Sequence, residues 1–420
     1  VSTLAQVTER DPVNFLPVNV LIVNQHGDNR GDEAALDGML RGLTEQFGSA
    51  RFTVVHQFAN ASVGPALRSD VTWIPHKISA VEALRLVLYA AIRVLRVRPK
   101  FLLGRVGKQT IEAYEQADIV ISAPGGPYFG DIYINHEFVH WFYVWIAKLH
   151  KKPTGLYATS AGPFKKKWAN PFRRMTYRCF DALYVREEIS AQHIKDLFGS
   201  RSINVSVSVD AALQVSVPPS DRDQRRLIVV SAINWAYKGD DNVDERRSQY
   251  DSAVVATVIE LVDATSARVV FVPQLHGTRH RDTPYLLHLA TVLRERVNHL
   301  PIDIEVWDEE RDMMSQRSLF ASADFVIAGR YHPAVFALSA GVPQVCIPYE
   351  HKATGVLALA GLSDVVLPIE NVSEQKLKSL AAYVRDNASD VRERSQRASV
   401  TLRELSSETS RAMAKLVVRQ

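Results

Sequence analysis

Short runs of apolar, mostly β-branched residues alternate along this chain with stretches whose apolar positions recur every three to four residues. In the first half Val18–Val23, Phe52–His56, Ile119–Ser122, Pro153–Tyr157 and Ala182–Val185 read as strands buried on both faces, most followed by a glycine-bearing loop and an amphipathic stretch. The second half repeats the scheme with Leu227–Ala232, Arg268–Pro273, Asp324–Ala328 and Gln344–Ile347. Between them, the prolines and charges of residues 217–226 predict an exposed linker. Continuously apolar strands alternating with helices specify parallel sheets covered on both faces. The pattern therefore predicts an α/β protein of two Rossmann-like, doubly wound domains facing one another across a cleft: residues 1–216 and residues 227–371. Residues 372–420 are charged and helical, and predict one or two solvated helices packed back on the body without chemistry of their own.

Composition narrows the class. The chain has 420 residues, 46% of them hydrophobic and 23% charged, enough to bury a large core. Its net charge of +4 is a mild excess over 50 basic residues, which suits anionic small ligands better than a nucleic-acid track. Its two cysteines, Cys179 and Cys346, are far apart in apolar contexts and argue against a disulfide framework or a zinc site. No basic start followed by an apolar core opens the sequence, and no apolar run reaches transmembrane length, so a cytoplasmic protein is expected.

The densest candidate chemistry follows the strand at Asp324–Ala328, where Gly329, Arg330, Tyr331, His332 and Pro333 lead into a helix over 334–340 that Gly341 would end. Arg330 and His332 are expected on the strand-to-helix crossover. At the carboxyl end of a strand, helix N-termini present unpaired N–H groups to anions. An arginine there grips phosphate or carboxylate bidentately, and a histidine can donate or accept a proton.

The first strand runs into a loop from Asn24 to Glu33, then a helical pattern from Ala34 to Leu43. This glycine-bearing turn reads as an anion or sugar cradle, although neither a dinucleotide fingerprint nor a P-loop is present. Asp32 and Glu33 suit the helix N-terminus, and Asp32 could also take a proton from a sugar hydroxyl. After Ile119–Ser122, Gly125 and Gly126 allow close backbone approach in what reads as a tight strand-to-helix turn, and Tyr128, Phe129 and Asp131 could wall an acceptor pocket, with Trp141 and Trp145 nearby. Arg186 directly follows another strand, and Asp210 stands at a further loop edge.

Taken together, Asn29-x-Gly31-Asp32-Glu33-Ala34, the Gly125-Gly126 turn, Arg186 with Ser190, Asp210-Ala211-Ala212, Gly329-Arg330-Tyr331-His332 with the run Ala337 to Pro343, and Tyr349, Lys352 and Gly355 resemble the polysaccharide pyruvyl transferase family in order and spacing, over roughly Val20 to Leu367. The resemblance implies a glycosyltransferase-B-like fold. It also implies transfer of the enolpyruvyl group of phosphoenolpyruvate onto two hydroxyls of a sugar in a bacterial surface polysaccharide such as a capsule or exopolysaccharide, leaving a cyclic pyruvate ketal. Arg186 and Arg330 would clamp the donor from the two domains, with Tyr331 beside them and Lys352 on its phosphate. His332 would be the general acid. Asn29, Gly31, Gly125, Gly126, Tyr128, Asp131 and His276 would line the acceptor side, and Asp32, Asp131 and His276 are candidates to take the second hydroxyl's proton. Phosphoenolpyruvate is a substrate here, and no cofactor or metal is expected. The runner-up is a nucleotide-sugar glycosyltransferase, with Glu350 as a ribose ligand.

Three further features stay open at this level. His276 and His280 are spaced as a metal pair, but Pro273 and Gly277 argue for a loop there. The stretches Lys165–Trp168 and Arg173–Arg178 mix basic and aromatic residues and suit a polyanionic acceptor or a solvated face. Over Val81–Val97 the residues Glu82, Arg85, Arg93 and Arg96 gather in a narrow sector of an otherwise apolar helix, which suits peripheral membrane contact or burial against the sheet.

Overall fold

A computed structural model describes residues 16–418 apart from 28, 58–68, 76–79, 132–133, 217, 219–225, 237–241, 277–280, 298–301 and 308–310. The expected linker at 217–226 lies almost wholly outside the described residues, as does His280.

The first sheet comprises β1 (Val18–His26), β2 (Ala50–Gln57), β3 (Val71–Pro75), β4 (Ile119–Ser122), β5 (Gly125–Phe129), β6 (Thr154–Ala161), β7 (Ala182–Val185) and β8 (Ser206–Val207). Its order is β3-β2-β1-β4-β6-β7-β8, with β5 laid against β6. The second sheet comprises β9 (Leu227–Ser231), β10 (Arg268–Phe271), β11 (Ile304–Val306), β12 (Phe325–Ala328) and β13 (Gln344–Cys346), in the order β11-β10-β9-β12-β13. Every pairing in both sheets is parallel. The predicted α/β class and two doubly wound sheets are what the chain forms.

The four strands outside the expectation lack its signal. β3 ends in a proline, β5 holds two glycines and a proline, β8 has two residues, and β11 has Glu305 at its centre. The segment expected as a tight turn at Gly125 is thus a strand.

In each sheet the winding direction reverses beside the first strand, between β1 and β4 and between β9 and β12. That reversal opens a crevice at the carboxyl ends of the strands, where loops diverge to opposite faces. Helices α1 (Arg30–Phe47), α2 (Ala80–Val94), α3 (Arg105–Gln116), α4 (Ile134–Leu149), α5 (Asn170–Tyr177) and α6 (Glu188–Phe198) belong with the first sheet. Helices α7 (Val243–Thr265), α8 (Thr283–Arg296), α9 (Met313–Ser322), α10 (Tyr331–Ala340), α11 (His351–Leu359) and α12 (Glu374–Asp386) belong with the second.

The 31-residue helix α13 (Ala388–Val418) joins the two bodies. Leu402 packs into the core around the second sheet and Met413 into the core around the first. Its Ser406 hydroxyl donates to the Asp210 carbonyl at 3.2 Å, Thr409 to the Ser208 hydroxyl at 2.8 Å, and Ser410 meets the Tyr157 hydroxyl at 2.5 Å. The tail is therefore more than a solvated helix, because its serine and threonine face is buried and steadies residues 208–214.

Candidate functional site

A cavity of about 250 Å³ lies between the carboxyl ends of the two sheets. The first body contributes His26, Asn29, Asp32, Gly126, Tyr128 and Arg186; the second contributes Gln274, Arg330, Tyr331, His332, Tyr349, Glu350 and Lys352.

On the first side, β1 breaks register between Ile22 and Gln25, and Asn24 adopts a left-handed backbone at φ 64°. Asparagine tolerates that region better than other side-chain-bearing residues. Its side chain is held by the Ser122 hydroxyl and by His140 Nδ1, both at 3.0 Å. The kink turns His26 toward the cavity, where its ring stacks on Tyr128 with centroids 4.4 Å apart. Helix α1 then begins at Arg30, four residues before the expected pattern, so Gly31 and Asp32 are helical. Asn29 is its N-cap and accepts a hydrogen bond from the Gly31 N–H at 2.8 Å. Arg30 and Glu33 form a buried pair at 2.8 Å, and Arg30 N–H donates to the Gln274 carbonyl at 3.2 Å, tying the helix start to the second body.

On the second side, α10 begins one residue after Arg330, its N-cap, which supplies no side-chain cap. His332 thus sits in the first helical turn rather than on the crossover. The Arg330 guanidinium is steadied by Asp282 at 2.5 Å, and the other Asp282 oxygen accepts from the Gln274 and Leu275 N–H groups at 3.0 Å each. Helix α11 also starts without a side-chain cap, behind Glu350, and its first turn carries Lys352, whose Nζ is 3.0 Å from Glu350. Arg330 Nε and His332 Nε2 are buried and make no hydrogen bond among the described residues. Leaving a buried donor unpaired costs on the order of 1–3 kcal/mol, so Arg330 Nε suits a ligand that accepts from it, whereas His332 Nε2 already faces the Asp210 carboxylate.

The two sides meet at Asp210. Its carboxylate takes the Arg186 Nη1 at 2.5 Å and stands 3.7 Å from His332 Nε2. Arg186 also donates from Nε to Ser160 at 2.8 Å, and its guanidinium lies 4.7 Å over the Tyr331 ring. Burial alone would raise the Asp210 carboxyl, but Arg186 and His332 hold it well below the usual carboxylate range. Asp32 moves the other way: burial raises it, against the opposing pull of His332 and Arg186. One carboxylate is thus fixed as an anion and the other is a better proton acceptor than a free aspartate.

Of the residues singled out in the sequence, Asn29, Asp32, Gly126, Tyr128, Arg186, Arg330, Tyr331, His332 and Lys352 line this cavity together. Gly31 instead makes room for His332, since a Cβ there would stand 1.8 Å from its Nδ1. Gly125, at φ 143°, packs under the Tyr128 hydroxyl. Asp131 lies outside the cavity: its carboxylate accepts from the Lys165 and Lys166 N–H groups at 2.6 and 3.1 Å and pairs with buried Arg173 at 2.8 Å. Outside it too is His276, buried with its pKa pushed down to about 3 by burial and by Arg30 and Arg281. Among the described residues no group of three or more His, Cys, Asp or Glu side chains is placed to hold a metal.

Asp210, Asp282, Gln274 and His26 were not expected in the site. An arginine after a strand needs a buried counter-charge, which is a signal for Asp210, but nothing local marks Asp282, 48 residues from its partner.

A sequence model of the polysaccharide pyruvyl transferase family matches residues 29–351. The amylovoran biosynthesis protein AmsJ of Erwinia amylovora is 24% identical over 409 residues, covering 91% of this chain and 95% of that protein. Among solved structures, a UDP-GlcNAc 2-epimerase from Neisseria meningitidis superimposes with a TM-score of 0.60 at 10% identity, covering 96% of this chain and 100% of that one. A trehalose 6-phosphate synthase from Burkholderia multivorans does so at 0.53 and 10%, covering 96% and 99%. These likenesses establish the glycosyltransferase-B-type architecture and nothing finer.

Proposed function

This chain belongs to the polysaccharide pyruvyl transferase family, and from that premise we propose that it moves the enolpyruvyl group of phosphoenolpyruvate onto two hydroxyls of a sugar during exopolysaccharide biosynthesis. The observation that carries the reading is the convergence of Arg186, Arg330, His332 and Lys352 on one cavity, with Arg330 Nε buried and making no hydrogen bond among the described residues. Phosphoenolpyruvate holds a phosphate and a carboxylate on a three-carbon frame and needs cations and N–H donors set a few ångströms apart. Arg330, Lys352 and the uncapped starts of α10 and α11 supply them on one side, and Arg186 on the other.

His332 gives its proton to the methylene carbon, which becomes the methyl group, and the central carbon then takes the first sugar oxygen. The carbon–phosphate ester bond breaks, phosphate leaves, and the second hydroxyl closes the ketal. Of the two hydroxyl protons, one restores His332 and the other ends on phosphate. Asp32, with its raised pKa and its place beside His332, is the residue that takes a hydroxyl proton in passing. Asp210 keeps Arg186 and His332 oriented. His26 and Tyr128 form a stacked platform for the acceptor ring.

The test is phosphate release from phosphoenolpyruvate against a panel of bacterial surface sugars, wild type beside His332→Ala. Acceptor-dependent release that vanishes in the variant supports the reading. No release with any acceptor, together with a thermal shift by a nucleotide sugar, replaces it with a glycosyltransferase that uses Glu350 on the ribose.

A further inference from the structure

Helix α2 sorts its side chains against the usual rule. Glu82, its one acidic residue, is buried, and it accepts hydrogen bonds from the N–H groups of Gly104 at 3.0 Å and Gly107 at 2.9 Å, where α3 begins. The outer face instead carries Val81, Leu84 and Leu88 in line at helical spacing, 59%, 69% and 46% exposed, and Leu95, just past the helix end, is 75% exposed. Phe101, in the turn that follows, is 82% exposed. Burial against the sheet covers one face, where Leu86 and Tyr89 pack inward, and leaves the opposite apolar stripe in solvent.

The charge around the stripe has one sign. From residue 80 to 110 the sequence has seven Lys and Arg residues and one acidic residue, the withdrawn Glu82. Arg96, Arg98, Arg105 and Lys108 are exposed, whereas Lys100 is paired with Glu115 at 2.6 Å and Arg85 stands 3.7 Å from Glu82. Helix α4 packs on both α2 and α5 and adds exposed Phe138, and Trp168 is exposed just ahead of α5 beside Lys165, Lys166 and Lys167. No helix among the described residues is long and apolar enough to cross a membrane.

We infer that α2 and the turn to Phe101 lie in the headgroup region of an anionic phospholipid bilayer. A continuous apolar stripe flanked by cations gains area-dependent insertion from the lipid interior and attraction from the lipid charge. A second copy of this chain fits less well, because stacking the two faces would bring the exposed Arg96, Arg98, Arg105 and Lys108 against their own copies. The inference does not depend on the donor chemistry.

Sedimentation of the full chain with vesicles tests it, using phosphatidylglycerol mixed equally with phosphatidylcholine, and phosphatidylcholine alone, at about 0.1 M salt. The expected result is binding to the anionic vesicles at least about ten-fold tighter than to the neutral ones, since each basic residue near such a surface contributes on the order of five-fold. Combining Leu84→Ser, Leu88→Ser and Leu95→Ser should weaken that binding about ten-fold or more, and Arg96→Glu with Arg98→Glu should do the same while leaving thermal melting unchanged. If the triple variant melts early, Leu95→Ser with Phe101→Ser, at the helix end and in the turn, takes its place. No binding to anionic vesicles, or equal binding by the apolar variant, overturns the inference. So does a dimer that the apolar variant abolishes in the absence of vesicle binding.

Discussion

Two helix N-termini face each other across the cavity and are finished in opposite ways. Helix α1 is capped by the Asn29 side chain and carries Asp32 and Glu33 in its first turn, so its N–H groups and dipole are already answered by its own residues. Helix α10 has no side-chain cap and no acidic residue in its first turn, and α11 beside it repeats this. With Arg330, His332 and Lys352 in those two starts, the positive end is left open on the second side only. The proposed donor, an anion, therefore suits the second sheet, and the proposed proton acceptor suits the first. Asp210 joins the halves, because it belongs to the first side and touches residues of both.

The largest effect should come from the proposed acid on the second side. His332→Ala removes the proposed acid, and phosphate release should fall by about 10² to 10⁴-fold with the melting temperature nearly unchanged. A variant that keeps more than a tenth of the activity would move the acid to the α1 side. The arginines should then separate. Arg186→Ala strands Asp210 as a buried anion and should cost about 3 to 5 kcal/mol in denaturant unfolding, besides activity. Arg330, more exposed and anchored by Asp282, should on replacement by alanine raise KM for phosphoenolpyruvate about ten- to hundred-fold while the fold holds. Equal losses of stability would erase the distinction between an arginine that also holds the fold and one that serves the donor alone.

Gly31→Ala tests how closely the halves must meet. Its Cβ would stand 1.8 Å from His332 Nδ1, so the ring must move by an ångström or more. A displacement of that size at a reacting group costs about 10²-fold in rate. Because the obstacle is a side chain rather than backbone, kcat should drop well beyond any loss of stability. Wild-type kcat in this variant would show that His332 acts from another rotamer.

How far the sequence reaches follows the same division. Strands at Ile119–Ser122 and Ala182–Val185 are legible to the residue, because each is a short, mostly apolar run, fully buried in the first and at alternate positions in the second, and set off by polar residues or turn signals. Arg186, Arg330 and His332 are legible as site candidates because the rule that ligands gather at strand ends needs only local sequence. Asp210 is quoted in the pattern but gains its role from elsewhere: its segment is held by Ser406, 196 residues later, on a helix that reads as a plain charged tail. Asp131 shows the converse error. A carboxylate after a glycine turn looks catalytic, yet buried Arg173 and two backbone N–H groups use it to fix the loop before α5. Gly31 reads as a backbone approach to a ligand and is in fact an approach to His332.

The smallest effect, and the finest test of the α1 side, is the dependence of stability on pH at Asp32. Its pKa in the folded chain lies above the value of 3.8 for a free aspartate, chiefly through burial. A raised carboxyl favours the fold while protonated, so its contribution is present in full below pH 3.8 and is lost as pH rises through the folded pKa. Asp32→Asn keeps the shape, removes the titration and so escapes that loss. The melting temperature of the variant relative to wild type should rise as the pH climbs from 3.8 through the folded pKa and stay level above it. A difference that shrinks or changes sign on raising the pH would mean that His332 and Arg186 outweigh burial and hold Asp32 as a low-pKa anion. The proposed proton acceptor would then have to be sought outside α1, and the contrast between the two helix starts would rest on the anion site alone.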